Sequence, residues 1–209
     1  MTLGYKAMQF HIRLTDDPEA ADKRAAFRAD HWTYFDDHRD HFIARGATTT
    51  DDLERTLSSV IYVEFDTWDD VHAFLAAEPL NRNGIYREVI VRRWRSGIER
   101  RQRDFPRRDG QAFWYVRGHG KPGSHVRREE IVEAQRAHLA PFDETHVVAR
   151  GPILDDDGND WQGSANLICM PSRDELEAFL ADWPYCKAGL YERVEIERYR
   201  FGGRPGQVV

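Results

Sequence analysis

Ala44-Arg45-Gly46 recurs as Ala149-Arg150-Gly151, and Phe74-Leu75-Ala76 recurs as Phe179-Leu180-Ala181. Pro79, Gly84 and Tyr86 return as Pro184, Gly189 and Tyr191, and Ser59 returns as Ser164. One offset of about 105 residues relates all of these pairs, so they form a register and the chain reads as an internal duplication. Upstream, His31-Trp32-Thr33-Tyr34-Phe35 aligns with His138-Leu139-Ala140-Pro141-Phe142 after a gap of about two residues. The duplication singles out the polar residues that both halves keep. Only one residue type with a pKa near neutrality is in register in both, histidine, as His31 and His138.

The 209 residues accommodate two units of roughly 100 residues, each large enough for a thin core and each gaining from packing on the other. An apolar fraction of 41% with 12% aromatics is a globular composition, and a net charge of −6 argues for solubility and against nucleic acid as a partner. Cys169 and Cys186 show neither ligand spacing nor a disulfide framework, which points to a reducing, cytoplasmic location. The N-terminus does not read as a signal peptide. No apolar run approaches the ~20 residues that span a bilayer, so no membrane partner is expected.

Each half reads as strand, helix, strand, strand, helix, strand. In the first, residues 1–96, Gln9 to Leu14 alternates as a half-buried strand with Phe10, Ile12 and Leu14 on one side. The spacing then predicts a long helix from about Glu19 to Ala44, stopped by Gly46. Val60 to Phe65 reads as a strand, Thr67-Trp68-Asp69-Asp70 as a capping box opening a helix to about Ala77, and Tyr86 to Trp94 as the closing strand. In the second, residues 113–209, Trp114 to Arg117, Val147 to Leu154, Ala165 to Met170 and Tyr191 to Phe201 read as strands. The helices run from Glu129 to about Phe142 and from the Ser172 cap to about Ala181. Residues 97–112 form a basic linker, read as solvated in preference to an anion site, and the tail Gly202 to Gly206 reads as loosely ordered.

A βαββαβ order places both helices on one face of a four-stranded antiparallel sheet, the ferredoxin-like arrangement. The other sheet face also carries apolar residues and needs a cover. The expected fold is therefore α+β: two ferredoxin-like repeats pairing sheet to sheet as a pseudo-dimeric α/β barrel. The pseudo-dimer is open to pairing again as a homodimer.

The second half resembles the YCII-related family of dimeric α/β-barrel proteins through Arg136-Ala137-His138-Leu139, Gly151-Pro152-Ile153-Leu154, Gly163-Ser164, Ser172 to Phe179, and Pro184 to Tyr191. The first half is a more diverged copy that keeps Arg28, His31, Gly46, Ser59, the helix ending Phe74-Leu75, Pro79 and Gly84. The resemblance implies a ferredoxin-like fold with paired sheets and a His–Asp dyad proposed as general acid/base, with a dehydrochlorinase of a chlorinated hydroxyquinol among the relatives. The family histidine corresponds to His138 and, by register, to His31. The family acid stands directly before proline. Here that place is held by Glu78 in the first half and Trp183 in the second, where Asp182 lies one position away.

A histidine beside a carboxylate is a usable general base, because the acid fixes the tautomer and stabilises imidazolium. The candidate catalytic residues are His31, His138, Glu78 and Asp182. The candidate substrate contacts are Arg28, Arg136, Ser59, Ser164, Trp183 and Tyr34. Trp32 and Tyr185 are further aromatic candidates for a pocket wall. His38 and His41 share a face, but a solvated acidic helix explains them better than a metal, so no metal and no cofactor is expected. The reading is cofactor-independent proton transfer, elimination or isomerisation, on a small cyclic or aromatic metabolite. The alternatives are a non-catalytic binding or accessory module and a cofactor-independent oxygenase.

Overall fold

The computed structural model describes residues 7–208. Strand β1 spans Met8–Asp16 and is followed by helix α1, Ala21–Asp37. Strands β2, Phe42–Thr49, and β3, Thr56–Phe65, lead into α2, Trp68–Ala77, the single turn α3, Pro79–Arg82, and strand β4, Tyr86–Trp94. The order then repeats as β5 (Phe113–Gly120), α4 (His125–Leu139), β6 (Val147–Leu154), β7 (Trp161–Cys169), α5 (Arg173–Ala181), α6 (Pro184–Lys187) and β8 (Tyr191–Phe201).

Local chemistry sets the helix starts. Thr67 and Asp70 form the reciprocal capping box of α2, and Ser172 Oγ accepts the Glu175 amide at 3.2 Å to open α5. Pro79 and Pro184 begin α3 and α6, where a missing amide proton costs nothing. Gly84 and Gly189 then leave these turns at φ of 64° in both repeats, a left-handed conformation that glycine adopts without strain.

All eight strands close into one antiparallel barrel in the order β1-β3-β2-β8-β5-β7-β6-β4. Each repeat contributes a four-stranded ferredoxin-like sheet, and the seams between repeats are β2 on β8 and β4 on β6. Alternation along β1 shows how the two faces are used. Phe10, Ile12 and Leu14 pack under the helices with Phe35, Val71 and Leu75, while His11 and Arg13 point into the barrel. Trp114 and Val116 do the same under α4 and α5, with Leu139, Leu176 and Leu180. The barrel interior holds Tyr62, Trp94, Tyr115, Leu167 and Tyr199 as a shared core.

Polar bonds cross this interior from one repeat to the other. His11 Nε2 lies 3.0 Å from Tyr115 Oη, and Arg13 pairs with Glu195 at 3.0 Å and Glu197 at 2.5 Å. The repeated Ala-Arg-Gly also finds its explanation here, because each copy lies on a seam. A Cβ on Gly46 would meet Arg200 O at 2.2 Å and the Tyr199 ring at 2.4 Å, and one on Gly151 would meet Arg95 O at 2.0 Å. The two glycines let the sheets join.

Three sequence expectations are corrected. The helix expected to run to Ala44 ends at Asp37, and Phe42–Thr49 is strand β2. Its unbroken Phe-Ile-Ala run belongs to a strand buried on both faces, which periodicity alone does not separate from a helix. The linker is not simply solvated: Gln102 and Phe105 are buried, Tyr199 Oη donates to Gln102 Oε1 at 2.8 Å, and Phe105 joins the barrel core. Two of its five arginines are engaged, Arg101 with Glu64 at 2.7 Å and Arg100 with the carbonyl of Asp143 at 2.5 Å, while Arg103, Arg107 and Arg108 are exposed as expected. The tail is tied to α1, with Arg204 donating to Thr33 Oγ1 and Gln207 to Asp36 Oδ1, both at 2.9 Å. No helix among the described residues is long and apolar enough to cross a membrane.

Gly46→Ala and Gly151→Ala are expected to destabilise the protein by about 1–3 kcal/mol through overpacking at the seams. Thermal unfolding should then show a fall of about 2–4 °C for each kcal/mol in a chain of this size, and an unchanged midpoint would refute the seam assignment. A second expectation concerns acid. Burial, with help from Arg117, Arg13 and Arg92, pushes the His11 pKa well below its ordinary value. The folded chain keeps this ring neutral while the unfolded chain protonates it near pH ~6.5, so its contribution is complete above that pH and is lost below it. The loss should approach about 1.4 kcal/mol per pH unit. Urea unfolding across that range should show a shallower acid slope in His11→Gln.

Candidate active site

α1 carries His31 toward the start of α3. The His31 ring is buried, and its Nδ1 lies 2.6 Å from Glu78 Oε1. Glu78 is fully buried, a position that a carboxylate holds only when its oxygens are satisfied. They are satisfied because Glu78 is the N-cap of α3: Oε1 accepts the Leu80 amide at 3.0 Å and Oε2 the Asn81 amide at 2.7 Å. The acid accepts on the Nδ1 side, so Nδ1 carries the imidazole proton and Nε2 is the nitrogen left to act. His31 lines a cleft of about 1060 Å³, with Arg24, Trp32, Phe35 and Ser59 among the other walls.

Charged groups gather around this dyad. Arg24, on α1, pairs with Asp16 at the end of β1 through Nε–Oδ2 at 3.1 Å and reaches Ser59 Oγ at 3.4 Å. Ser59 Oγ in turn lies 3.4 Å from Tyr86 Oη. Burial raises the Asp16 pKa, against the opposing pull of Arg24 and His31. Burial also raises that of Tyr86, which keeps its hydroxyl protonated. Sequence reasoning did not select Asp16, Arg24 or Tyr86. Tyr86 was visible in the repeat register, and Arg24 lies two helical turns before His31 on the same face, but a sequence alone does not show that Asp16 meets Arg24.

The second repeat lacks this arrangement. Trp183 occupies the place of Glu78, is buried, and makes no side-chain cap to α6. Gln135 supplies the missing acceptor instead, with Oε1 taking the Tyr185 amide at 3.1 Å. Asp182 does not turn inward as a partner for His138. It faces solvent and pairs with Lys187 at 2.9 Å, and that contact lowers its pKa. His138 Nε2 is buried without a hydrogen-bond partner among the described residues, and its ring lies 6.2 and 6.3 Å from those of Phe142 and Phe179. Trp161 stands at the position of the cleft-lining Thr56 and packs on Tyr185 and Leu190, the counterparts of the buried Leu80 and Ile85.

The remaining candidates separate. Arg28 lines the cleft, with its guanidinium 5.3 Å over Trp32. Arg136 is exposed and paired with Glu133 at 2.5 Å; the position equivalent to Arg28 is Gln135. Ser59 and Ser164 are equivalent, and Ser164 Oγ lies 3.0 Å from Tyr191 Oη. Tyr34 donates to Phe74 O at 2.9 Å and lines a separate hollow with His38 and His41, away from His31. No group of three or more metal-type side chains occurs among the described residues.

The YCII-related domain matches this chain twice, over residues 8–95 and 112–200. The chain belongs to the YCII-related family. Among proteins of curated function, none matches it. One YCII-type repeat is similar to the 5-chloro-2-hydroxyhydroquinone dehydrochlorinase of Burkholderia phenoliruptrix AC1100, at 29% identity over 43% of this chain and 95% of that chain, with a TM-score of 0.41. Both repeats together superpose on a mutant chlorite dismutase of Candidatus Nitrospira defluvii at 9% identity, covering 93% of this chain and 92% of that chain, with a TM-score of 0.60. They also superpose on an anthrone oxidase-like protein at 13% identity, covering 100% and 98%, with a TM-score of 0.56. At such identities these last two likenesses show a shared fold.

The asymmetry between the repeats has a measurable consequence. Glu78→Ala removes a buried helix cap and should cost about 1–2 kcal/mol in denaturant unfolding. Asp182→Ala, on the solvent side, should stay within about 0.5 kcal/mol of the parent protein. Equal effects would mean that the two acids are not placed as described.

Proposed function

We propose that the first-repeat cleft is an active site in which His31 Nε2 is the general base and Glu78 its orienting acid. The chemistry is cofactor-independent proton transfer on a small cyclic or aromatic metabolite. The observation that carries this reading is the 2.6 Å contact between His31 Nδ1 and a fully buried, helix-capping Glu78, on the wall of a large cleft.

Nε2 takes a proton from a carbon next to a carbonyl or on an activated ring, and the electron pair passes into that carbonyl or ring. Glu78 stabilises the imidazolium that forms. From there the proton returns to a different carbon, which is isomerisation, or the electron pair expels a leaving group, which is elimination: a halide departs and Nε2 gives its proton to solvent, or a hydroxyl takes that proton and departs as water. The substrate itself delocalises the charge. Trp32 and Phe35 on the cleft wall suit a planar ring. The second repeat, with its histidine unpaired, serves as scaffold: β8 and β6 complete the barrel that fixes β2 and β4.

The test is turnover on a panel of halogenated dihydroxyphenols and cyclic diketones, followed by ultraviolet spectra and halide release. His31→Ala should lower kcat by ~10² to 10⁴-fold with the fold intact, the usual worth of a general base. His138→Ala should turn over at the parent rate. Full turnover in His31→Ala would reject the dyad, and tight binding of these compounds with no turnover by the parent protein would favour a binding module.

A further inference from the structure

We infer that the first-repeat cleft holds its ligand by an oxyanion, with Arg24 as the group that binds it and Asp16 as the residue that aims Arg24. The inference rests on the His31 cleft being the functional one. It adds the substrate class: a small planar anion, whether phenolate, enolate or carboxylate.

Arg24 and His31 lie seven residues apart on α1, two turns, and so present their side chains to the same cleft. Two of the three guanidinium nitrogens are tethered. Nε donates to Asp16 Oδ2 at 3.1 Å and Nη2 to Ser59 Oγ at 3.4 Å. The third, Nη1, is buried and has no hydrogen-bond partner among the described residues, and neither has Asp16 Oδ1. A buried cationic N–H without an acceptor is costly, whereas an anionic oxygen placed there gains a charge-assisted bond roughly twice as strong as a neutral one. The rigid fork of arginine is held at two corners on a side chain that lines the cleft, and Nη1, itself enclosed, is the corner left for an anionic oxygen that settles beside it.

The second repeat shows that the fold does not need these charges. Ladder pairing sets Asp16 opposite Tyr86 and Gly120 opposite Tyr191, so Gly120 stands where Asp16 stands. The helix register that equates His31 with His138 equates Arg24 with Ile131, which packs on Trp161, Tyr185 and Leu190. Trp161 lies where a Cβ on Gly120 would be, 2.7 Å away. The hydroxyl pair persists in both repeats, as Ser59 with Tyr86 and Ser164 with Tyr191, and is therefore part of the scaffold. What the first repeat alone carries is Asp16, Arg24 and Glu78 beside the shared histidine. With its oxygen on Arg24, a planar anion places its ring beside Trp32 and a carbon toward His31.

Calorimetric binding to the full chain tests this with two anions, 4-nitrophenolate and benzoate, and their neutral counterparts 4-nitroanisole and benzamide. The parent protein should prefer at least one anion to its neutral counterpart. Arg24→Ile, which copies Ile131, and Arg24→Gln should each weaken that anion at least about tenfold and leave the neutral compound unchanged. Asp16→Asn should give a smaller loss, and the unfolding midpoint of each variant confirms that it is folded. Whichever anion responds identifies the oxygen as phenolate-like or carboxylate. The inference is overturned if folded Arg24 variants keep parent affinity, if neutral compounds bind as well, or if the parent binds neither anion. His31→Ala separates the two readings. Anion binding that survives in it while turnover is lost supports both, whereas turnover that persists removes the base and leaves the oxyanion site to stand or fall on Arg24.

Discussion

A four-stranded sheet with both helices on one side has a second apolar face that water must not reach. Everything else in this molecule follows from how that face is covered. Two repeats in one chain turn their open faces toward each other and join at β2–β8 and β4–β6, so that Tyr62, Trp94, Tyr115 and Tyr199 meet in a common interior. Joining demands close backbone approach at each seam, and the one short motif that both halves keep intact there, Ala-Arg-Gly, supplies a glycine to each. Closure also removes free sheet edges, which in a separate half would invite pairing with other chains.

Covalent duplication releases a constraint that a symmetric dimer obeys. In a dimer of identical chains, a substitution in one pocket is a substitution in both. Here the first repeat keeps Asp16, Arg24 and Glu78 around its histidine, while the second holds Gly120, Ile131 and Trp183 at the same positions. Burying charge is costly unless it is paired, and replacing buried ion pairs by well-packed apolar groups is often neutral or stabilising. In the second repeat Ile131 stands in the place of Arg24 and packs, with Trp161, on Tyr185 and Leu190, whose counterparts Leu80 and Ile85 are packed in the first repeat as well. The first repeat therefore carries a charged cluster that its duplicate folds without, which is the asymmetry on which the proposed function rests.

Much of the architecture was legible in the sequence, because repeat register and strand alternation are one-dimensional signals. The caps Thr67 and Ser172, the strands Val147–Leu154 and Tyr86–Trp94, and the intramolecular barrel follow from them. The end of α1 was not legible, since Phe42–Ala44 is apolar on both faces and carries no period. In the site, the pairing of Glu78 with His31 is what the family resemblance implies, because the family acid stands directly before proline; residue spacing alone does not give it. The Asp16–Arg24 pair could not, because it depends on how α1 leans on the end of β1, a tertiary distance with no signature in residue spacing.

Tyr34 and Arg28 show the same limit from the other side. Both lie within one turn of His31, yet Arg28 lines the cleft while Tyr34 points to the Phe74 carbonyl. Residues three apart on a helix do share a face, but the cleft is set by which part of that face meets α3 rather than α2. Glu78 sits at the joint between those two helices. As C-cap of α2 and N-cap of α3 it turns the chain, and its carboxylate is then held by two α3 amides. The residue that shapes the turn is thus the one that orients the imidazole. Replacing it with Trp183 alters both at once: the cap passes to Gln135, and His138 is left without an acid.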